Sequence, residues 1–187
     1  MTTTKKTTRK TKTITVATKL STNLNLPKQP FMFEILDLVS RQRSKAKKVE
    51  VLKKYEELCL KGILIWNYDE SIITLLPEGE VPYADPEDQV TYSGTLSTKI
   101  SLGAGDSNGR TTIRREFKNF YQFVKGGNPG LNSIRRETMF INILQGLHPL
   151  EAEIMCLVKD GNLEDRYKIT KEVVSEAYSD IQWGGRS

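Results

Sequence analysis

Apolar residues first recur at helical spacing from Phe31 onward, where Phe31, Ile35, Leu38 and Val39 fall three and four apart and predict one buried helix face. Ser44 is placed to cap a second helix, in which Ala46, Val49, Leu52 and Tyr55 recur every third residue. Leu58, Cys59, Gly62, Ile63 and Trp66 continue an apolar face in a third segment, which Asn67, Asp69 and Ser71 interrupt. Ile72, Ile73, Leu75 and Leu76, closed by Pro77, make a run too short to classify by period; a turn of helix or an irregular plug is expected, not a strand.

Helical periodicity returns at Thr112, a suitable cap, with Ile113, Phe117, Phe120, Tyr121 and Val124 expected inward, and it stops at Gly126 and Gly127. Asn132 or Ser133 caps a further helix carrying Ile134, Phe140, Ile141 and Leu144 and ending at Gly146. Pro149 suits the first position of the next, whose apolar side of Ala152, Ile154, Met155, Leu157 and Val158 runs to Gly161. Thr170 caps a last helix bearing Val173, Val174, Ala177 and Tyr178. With no alternation of strand and helix, this predicts an all-α orthogonal bundle of six or seven short helices.

The segment before that pattern is different in kind. The first 22 residues hold ten threonines interleaved with Lys and Arg, and little in them could be buried. Such a segment does not offset its ordering entropy, so residues 1–30 are expected to be a disordered basic tail, with Pro27 and Pro30 marking its end and one helical domain following over 31–183. A second departure lies between Lys61 and Lys99, where there is no cation and seven anions accumulate before a Gly, Ser and Asp stretch at 93–109. A connection of that length exceeds the usual 4 to 6 residues or so, so a mobile acidic and Gly/Ser-rich insertion is expected at about 77–110. Its carboxylates lack the ordered Asp, Asn and Gly spacing of a calcium loop, and no metal is expected there.

Charge sharpens this division. The chain has 187 residues and a formal net charge of +5, yet residues 1–30 carry seven cations and no Asp or Glu. The remaining 157 residues carry 21 cations against 23 anions, so the body is slightly acidic and the tail alone is basic. No run approaches the roughly 18 apolar residues that a membrane span needs, and no membrane partner is expected.

Catalytic chemistry is hard to find. The single histidine, His148, directly precedes Pro149 and reads as cover for a helix start. Glu151 and Glu153 are two apart and diverge on a helix; Glu151 suits a first turn where the helix dipole favours an anion. Cys59 and Cys156 sit among apolar neighbours and read as reduced, buried thiols. The glycine-rich Gly103–Gly109 lacks the Lys-Ser/Thr ending of a phosphate loop, so neither a cofactor nor an enzyme activity is expected.

What remains is positive charge. Beside the tail residues Lys5, Lys6, Arg9, Lys10 and Lys12, three clusters lie near predicted helix starts: Arg41, Arg43, Lys45, Lys47 and Lys48; Arg114, Arg115 and Lys118; and Arg135 with Arg136. Backbone amides and Lys or Arg at helix starts together suit phosphate oxygens, and this pattern points to nucleic acid, in particular duplex DNA held independently of sequence. Arg135 and Arg136 in a first turn oppose the helix dipole by roughly a few tenths of a kcal/mol each, which suggests an external reason for their placement or simple tolerance at an exposed site.

Two resemblances bear on this. Phe33-Glu34-Ile35-Leu36, Ser44 through Leu52, and the Asn67-Tyr68-Asp69 turn together resemble the opening of the helical N-terminal DNA-binding domain of ATP-dependent DNA ligases. That likeness covers the first three helices and implies a clamp on duplex backbone and minor groove; the nucleotidyl-transfer machinery is missing, so no ligation is implied. More closely, residues 31–181 resemble an uncharacterised helical family of T-even-like tailed phages, many infecting marine cyanobacteria. The motifs that carry this are Leu75-Leu76-Pro77-Glu78-Gly79, Arg135-Arg136-Glu137-Thr138-Met139-Phe140, and Leu147-His148-Pro149-Leu150-Glu151-Ala152-Glu153 leading into Val158-Lys159-Asp160. The resemblance implies a phage source, hence host cytoplasm during infection or the virion, and no particular activity. The expected function is thus a non-enzymatic DNA-binding accessory protein; the alternative is a virion or assembly component whose tail binds capsid or internal proteins.

Overall fold

A computed structural model describes residues 26–83 and 110–186, and the expectations for residues 1–25 and 84–109 lie outside the described residues. Eight α-helices and one 3-10 helix are present there, with no strand, so the fold is all-α with more pieces than the sequence pattern suggests. They are α1 (Met32–Ser40), α2 (Lys45–Lys54), α3 (Leu58–Tyr68), α4 (Ile113–Glu116), the 3-10 helix (Phe117–Phe123), α5 (Ser133–Gly146), α6 (Pro149–Lys159), α7 (Leu163–Tyr167) and α8 (Lys171–Ala177). Helix α6 packs on α1, α3, α5 and α7, while α2 lies between α1 and α8.

The expected caps are where the sequence puts them. Ser44, Thr112, Asn132 and Thr170 each accept a backbone N–H from the first turn of their helix, and His148 Nδ1 accepts Leu150 N–H at 3.1 Å ahead of Pro149. Part of the expected tail packs on the body: Leu26 N–H donates to Tyr55 Oη at 3.1 Å and Pro30 is buried. The short apolar run near 75 is the expected irregular plug, joined to the chain after the 3-10 helix by an isolated antiparallel bridge between Thr74 and Val124.

The segment after Thr112 departs from the α-helical expectation after one turn. Phe117, Phe120 and Phe123 recur at intervals of three, which matches three residues per turn, so in a 3-10 helix all three share one side. That side meets Trp66 of α3 and Phe140 of α5, with the Phe123 and Phe140 rings 5.2 Å apart. Tyr121, expected inward on an α-helical wheel, is instead 53% exposed. Gly127 then turns the chain where a Cβ would fall 1.7 Å from Tyr121 O, so only glycine fits.

Buried charges hold the periphery. Lys159 Nζ, nearly inaccessible, donates to Pro77 O at 2.7 Å and Gly79 O at 3.1 Å, and Asp160 Oδ2 accepts Gly79 N–H. Two of the quoted motifs, Leu75–Gly79 and Val158–Asp160, therefore meet as one structural clamp. Asp69 is equally buried and accepts from Ser71, Gly184 and Arg186, fastening residues 184–186 to the end of α3. Burial works to raise its pKa, but these hydrogen bonds outweigh it and hold the carboxyl down to about 2.

A folded-state value below the unfolded one contributes stability that is full above the ordinary carboxylate range and lost as pH falls through about 4 toward 2. Thermal melts of the wild type and Asp69→Asn across that window are expected to show a stability gap that closes toward pH 2. A gap independent of pH would contradict the assignment.

Candidate nucleic-acid interface

Ten of the predicted phosphate contacts fall on described residues, and the structure divides them in two. Five are engaged within the protein. Arg41 pairs with Asp37 at 2.6 Å, and Lys45 lies 3.0 Å from Glu176 and 3.7 Å from Glu172 across the α2–α8 contact. Lys48 Nζ donates to Lys168 O. Arg114 forms a bidentate pair with Glu57, both bonds at 2.7 Å, which ties α4 to the start of α3.

Arg136 corrects the sequence reading most sharply. It is not on the surface: its guanidinium is buried and donates to Gln122 O at 2.9 Å, Leu131 O at 2.7 Å and Asn128 O at 3.4 Å. These carbonyls lie in the last turn of the 3-10 helix and along the connection into α5, so Arg136 supplies donors to both. Its unfavourable place in a helix first turn thus has an internal reason, not a ligand.

The other five, Arg43, Lys47, Arg115, Lys118 and Arg135, are exposed and have no side-chain hydrogen bond or ion pair among the described residues. Arg115 and Lys118 are three apart and stand on one side of the α4–3-10 rod. One position further round, Glu116 and Asn119 line an open groove of about 540 Å³, whose opposite wall is Arg135, Thr138 and Asn142 of α5. Glu116 is held by Thr111 Oγ1 at 2.8 Å and Asn119 Nδ2 at 3.0 Å, which restrains its carboxylate on the groove wall. The result is an open groove of mixed polar and apolar lining, with Arg135 on one wall, Glu116 on the other, and Arg115 and Lys118 exposed on the neighbouring side of the rod. Lys5, Lys6, Arg9, Lys10 and Lys12 lie outside the described residues.

Reactive groups are subdued. Both cysteines are free; burial pushes the Cys59 thiol up to about 12 and the Cys156 thiol up to about 11, so neither offers a thiolate near neutral pH. Among the described residues no group of three or more His, Cys, Asp and Glu side chains is placed to hold a metal, and no helix is long and apolar enough to cross a membrane.

The charged group that sequence reasoning undervalued is Glu151. It is 1% exposed, and its two oxygens accept Met32 N–H at 3.2 Å and Ile113 N–H at 3.0 Å, the first amides of α1 and α4. The only hint was its place in a helix first turn; nothing local shows that two distant helix starts converge on it. Burial raises its pKa, against the two backbone donors and nearby Arg114.

Residues 35–165 match the model of a family of unknown function, DUF6433. The chain belongs to that family. The match takes in the groove, Glu151 with Ile113, and the Lys159 clamp, and leaves Met32 and the basic N-terminal segment outside. No curated protein and no solved structure matches the chain. Membership in DUF6433 brings no activity with it, so function rests on the chemistry of these residues.

Proposed function

We propose that this is a phage-encoded, non-enzymatic DNA-binding accessory protein that grips the phosphate backbone without reading bases. The observation that carries the reading is the segregation of charge: seven cations and no acid in residues 1–30, joined to a body of net charge −2. A segment of seven cations is drawn to a polyanion more strongly than to a body of net charge −2, because the charge density of a phosphate backbone is far higher and its counterions are released on binding. The body contributes Arg135, which lines the groove, and Arg115 and Lys118, which precede its lining residues Glu116 and Asn119 in sequence; all three are exposed and have no side-chain partner among the described residues. The phage source is supported by the motif resemblance alone.

The test on the body is the full-length variant Arg115→Gln/Lys118→Gln/Arg135→Gln. Fluorescence anisotropy with a duplex oligonucleotide across salt is expected to show weaker binding and a log–log salt slope shallower by about 3. Melting temperature should be unchanged, because surface changes of this kind stay within roughly 0.5 kcal/mol. An unchanged slope would remove these three residues from the interface.

A further inference from the structure

Three aromatic rings meet at the point where the basic segment joins the body. Phe31, Phe33 and His148 are each partly exposed. The Phe31 and Phe33 rings stack at 5.4 Å and 15°, Phe33 and His148 stack at 4.7 Å and 26°, and Phe31 and His148 lie 5.6 Å apart.

The arrangement has a backbone cause. Phe31 is the N-cap of α1 with extended dihedrals, so its side chain and that of Phe33 need not diverge as they would inside a helix. An N-cap is ordinarily the place of Ser, Thr, Asp or Asn; here the cap position holds a large ring that makes no capping bond, while Glu34 accepts the Phe31 N–H at 2.8 Å. On the far side, His148 is fixed by its bond to Leu150 N–H, which sets the imidazole plane against Phe33. The triad is thus anchored through the Phe31 backbone and the His148 ring, and it still reaches solvent. Lys28, the last of the seven N-terminal cations, lies three residues before Phe31.

Proteins that hold single strands combine a cationic track for the backbone with aromatic faces on which unpaired bases stack. We propose that Phe31, Phe33 and His148 form a stacking platform for an unpaired base of single-stranded nucleic acid, with the exposed Lys28 beside it taking an adjoining phosphate. This rests on the DNA-binding reading and adds strandedness to it. A base stacks by its face and needs no hydrogen-bond partner, so the platform is indifferent to sequence.

The experiment uses full-length protein and two changes that keep apolar volume while removing the rings, Phe31→Leu and Phe33→Leu, singly and together. Affinities are measured by fluorescence anisotropy for a 15-nucleotide oligo-dT, an abasic backbone of the same length and a 15-base-pair duplex. Stacking on aromatic side chains predicts that the double variant loses about fivefold or more on oligo-dT. It should bind the duplex and the abasic strand as the wild type does, with its salt slope unaltered. The wild type should itself bind oligo-dT better than the abasic strand.

Equal loss on all three probes would mean that the rings only support the fold, and the platform is overturned. Unchanged oligo-dT binding by the double variant overturns it as well. Wild-type binding to duplex with no preference for oligo-dT over the abasic strand overturns the platform and leaves the DNA-binding reading standing. Failure of the wild type on every probe at low salt ends both.

Discussion

Replacing Glu151 with alanine is expected to lower the unfolding free energy by about 3–5 kcal/mol, because it strands two buried backbone donors and opens a void. Met32 and Ile113 N–H are each the first amide of a helix, with no intrahelical acceptor, and each is answered by one oxygen of this carboxylate. An unsatisfied buried donor costs about 1–3 kcal/mol, and the loss of the side chain volume adds to it. For a domain whose whole stability is of order 5–15 kcal/mol, such a change brings the protein close to unfolding.

Glutamine at 151 tests the chemistry more finely. It nearly preserves the volume and one acceptor, but presents an NH2 group to one of the two amides. Its penalty should fall between those of wild type and Glu151→Ala in urea titrations near neutral pH. Since burial raises the Glu151 pKa, ionisation of the wild type opposes folding as pH rises above the ordinary carboxylate range. Glutamine cannot ionise, so its deficit relative to wild type should be larger at pH 4 than at pH 7. A loss under about 1 kcal/mol for Glu151→Ala would show that water or a neighbouring group serves those amides equally well.

Local chemistry made much of the helical framework legible. A capping side chain, a proline at a first helical position and a glycine past the end act within a few residues, so Ser44, Thr112, Asn132, Pro149 and Gly161 announce their elements directly. The 3-10 helix was misassigned because a wheel of 3.6 residues per turn sends Tyr121 inward and hides the threefold spacing of Phe117, Phe120 and Phe123. Helix α7 escaped notice because five residues show too little period, although Leu163 and Tyr167 are both buried. Ile134, expected on an apolar face, is 75% exposed, since the face of α5 that turns inward is the one carrying Arg136, Phe140, Ile143 and Leu144.

The candidate interface was legible in type and not in membership. A sequence shows that Arg and Lys cluster near helix starts, but whether a given charge is spent inside depends on partners far along the chain. Glu57 lies 57 residues from Arg114, and Glu176 and Lys168 are more distant still from Lys45 and Lys48. Internal contacts remove half of the described candidates; of the rest, Arg135 lines the groove, Arg115 and Lys118 are exposed on α4 and the 3-10 helix, and Arg43 and Lys47 lie apart at the start of α2. Arg135 and Arg136, adjacent in sequence, part company for this reason: one edges the groove and its neighbour braces the connection into α5.

The largest functional effect is expected from the N-terminal cations. If Lys5, Lys6, Arg9, Lys10, Lys12, Lys19 and Lys28 each displace a counterion from duplex DNA, together they contribute about −6 to the log–log dependence of affinity on salt. Over 50 to 200 mM salt this amounts to roughly three to four orders of magnitude in affinity, far beyond the share of Arg115, Lys118 and Arg135. Because the body carries more anions than cations, neutralising the seven leaves a protein whose average charge repels DNA.

The decisive measurement is a binding titration with duplex DNA at several salt concentrations, comparing the wild type with a full-length protein in which all seven are glutamine. The account predicts strong, steeply salt-dependent binding by the wild type and a slope shallower by about 6 in the variant, with the folded body unchanged in its melting temperature. Superimposable slopes, or a wild type that leaves DNA unbound in dilute buffer, would contradict it.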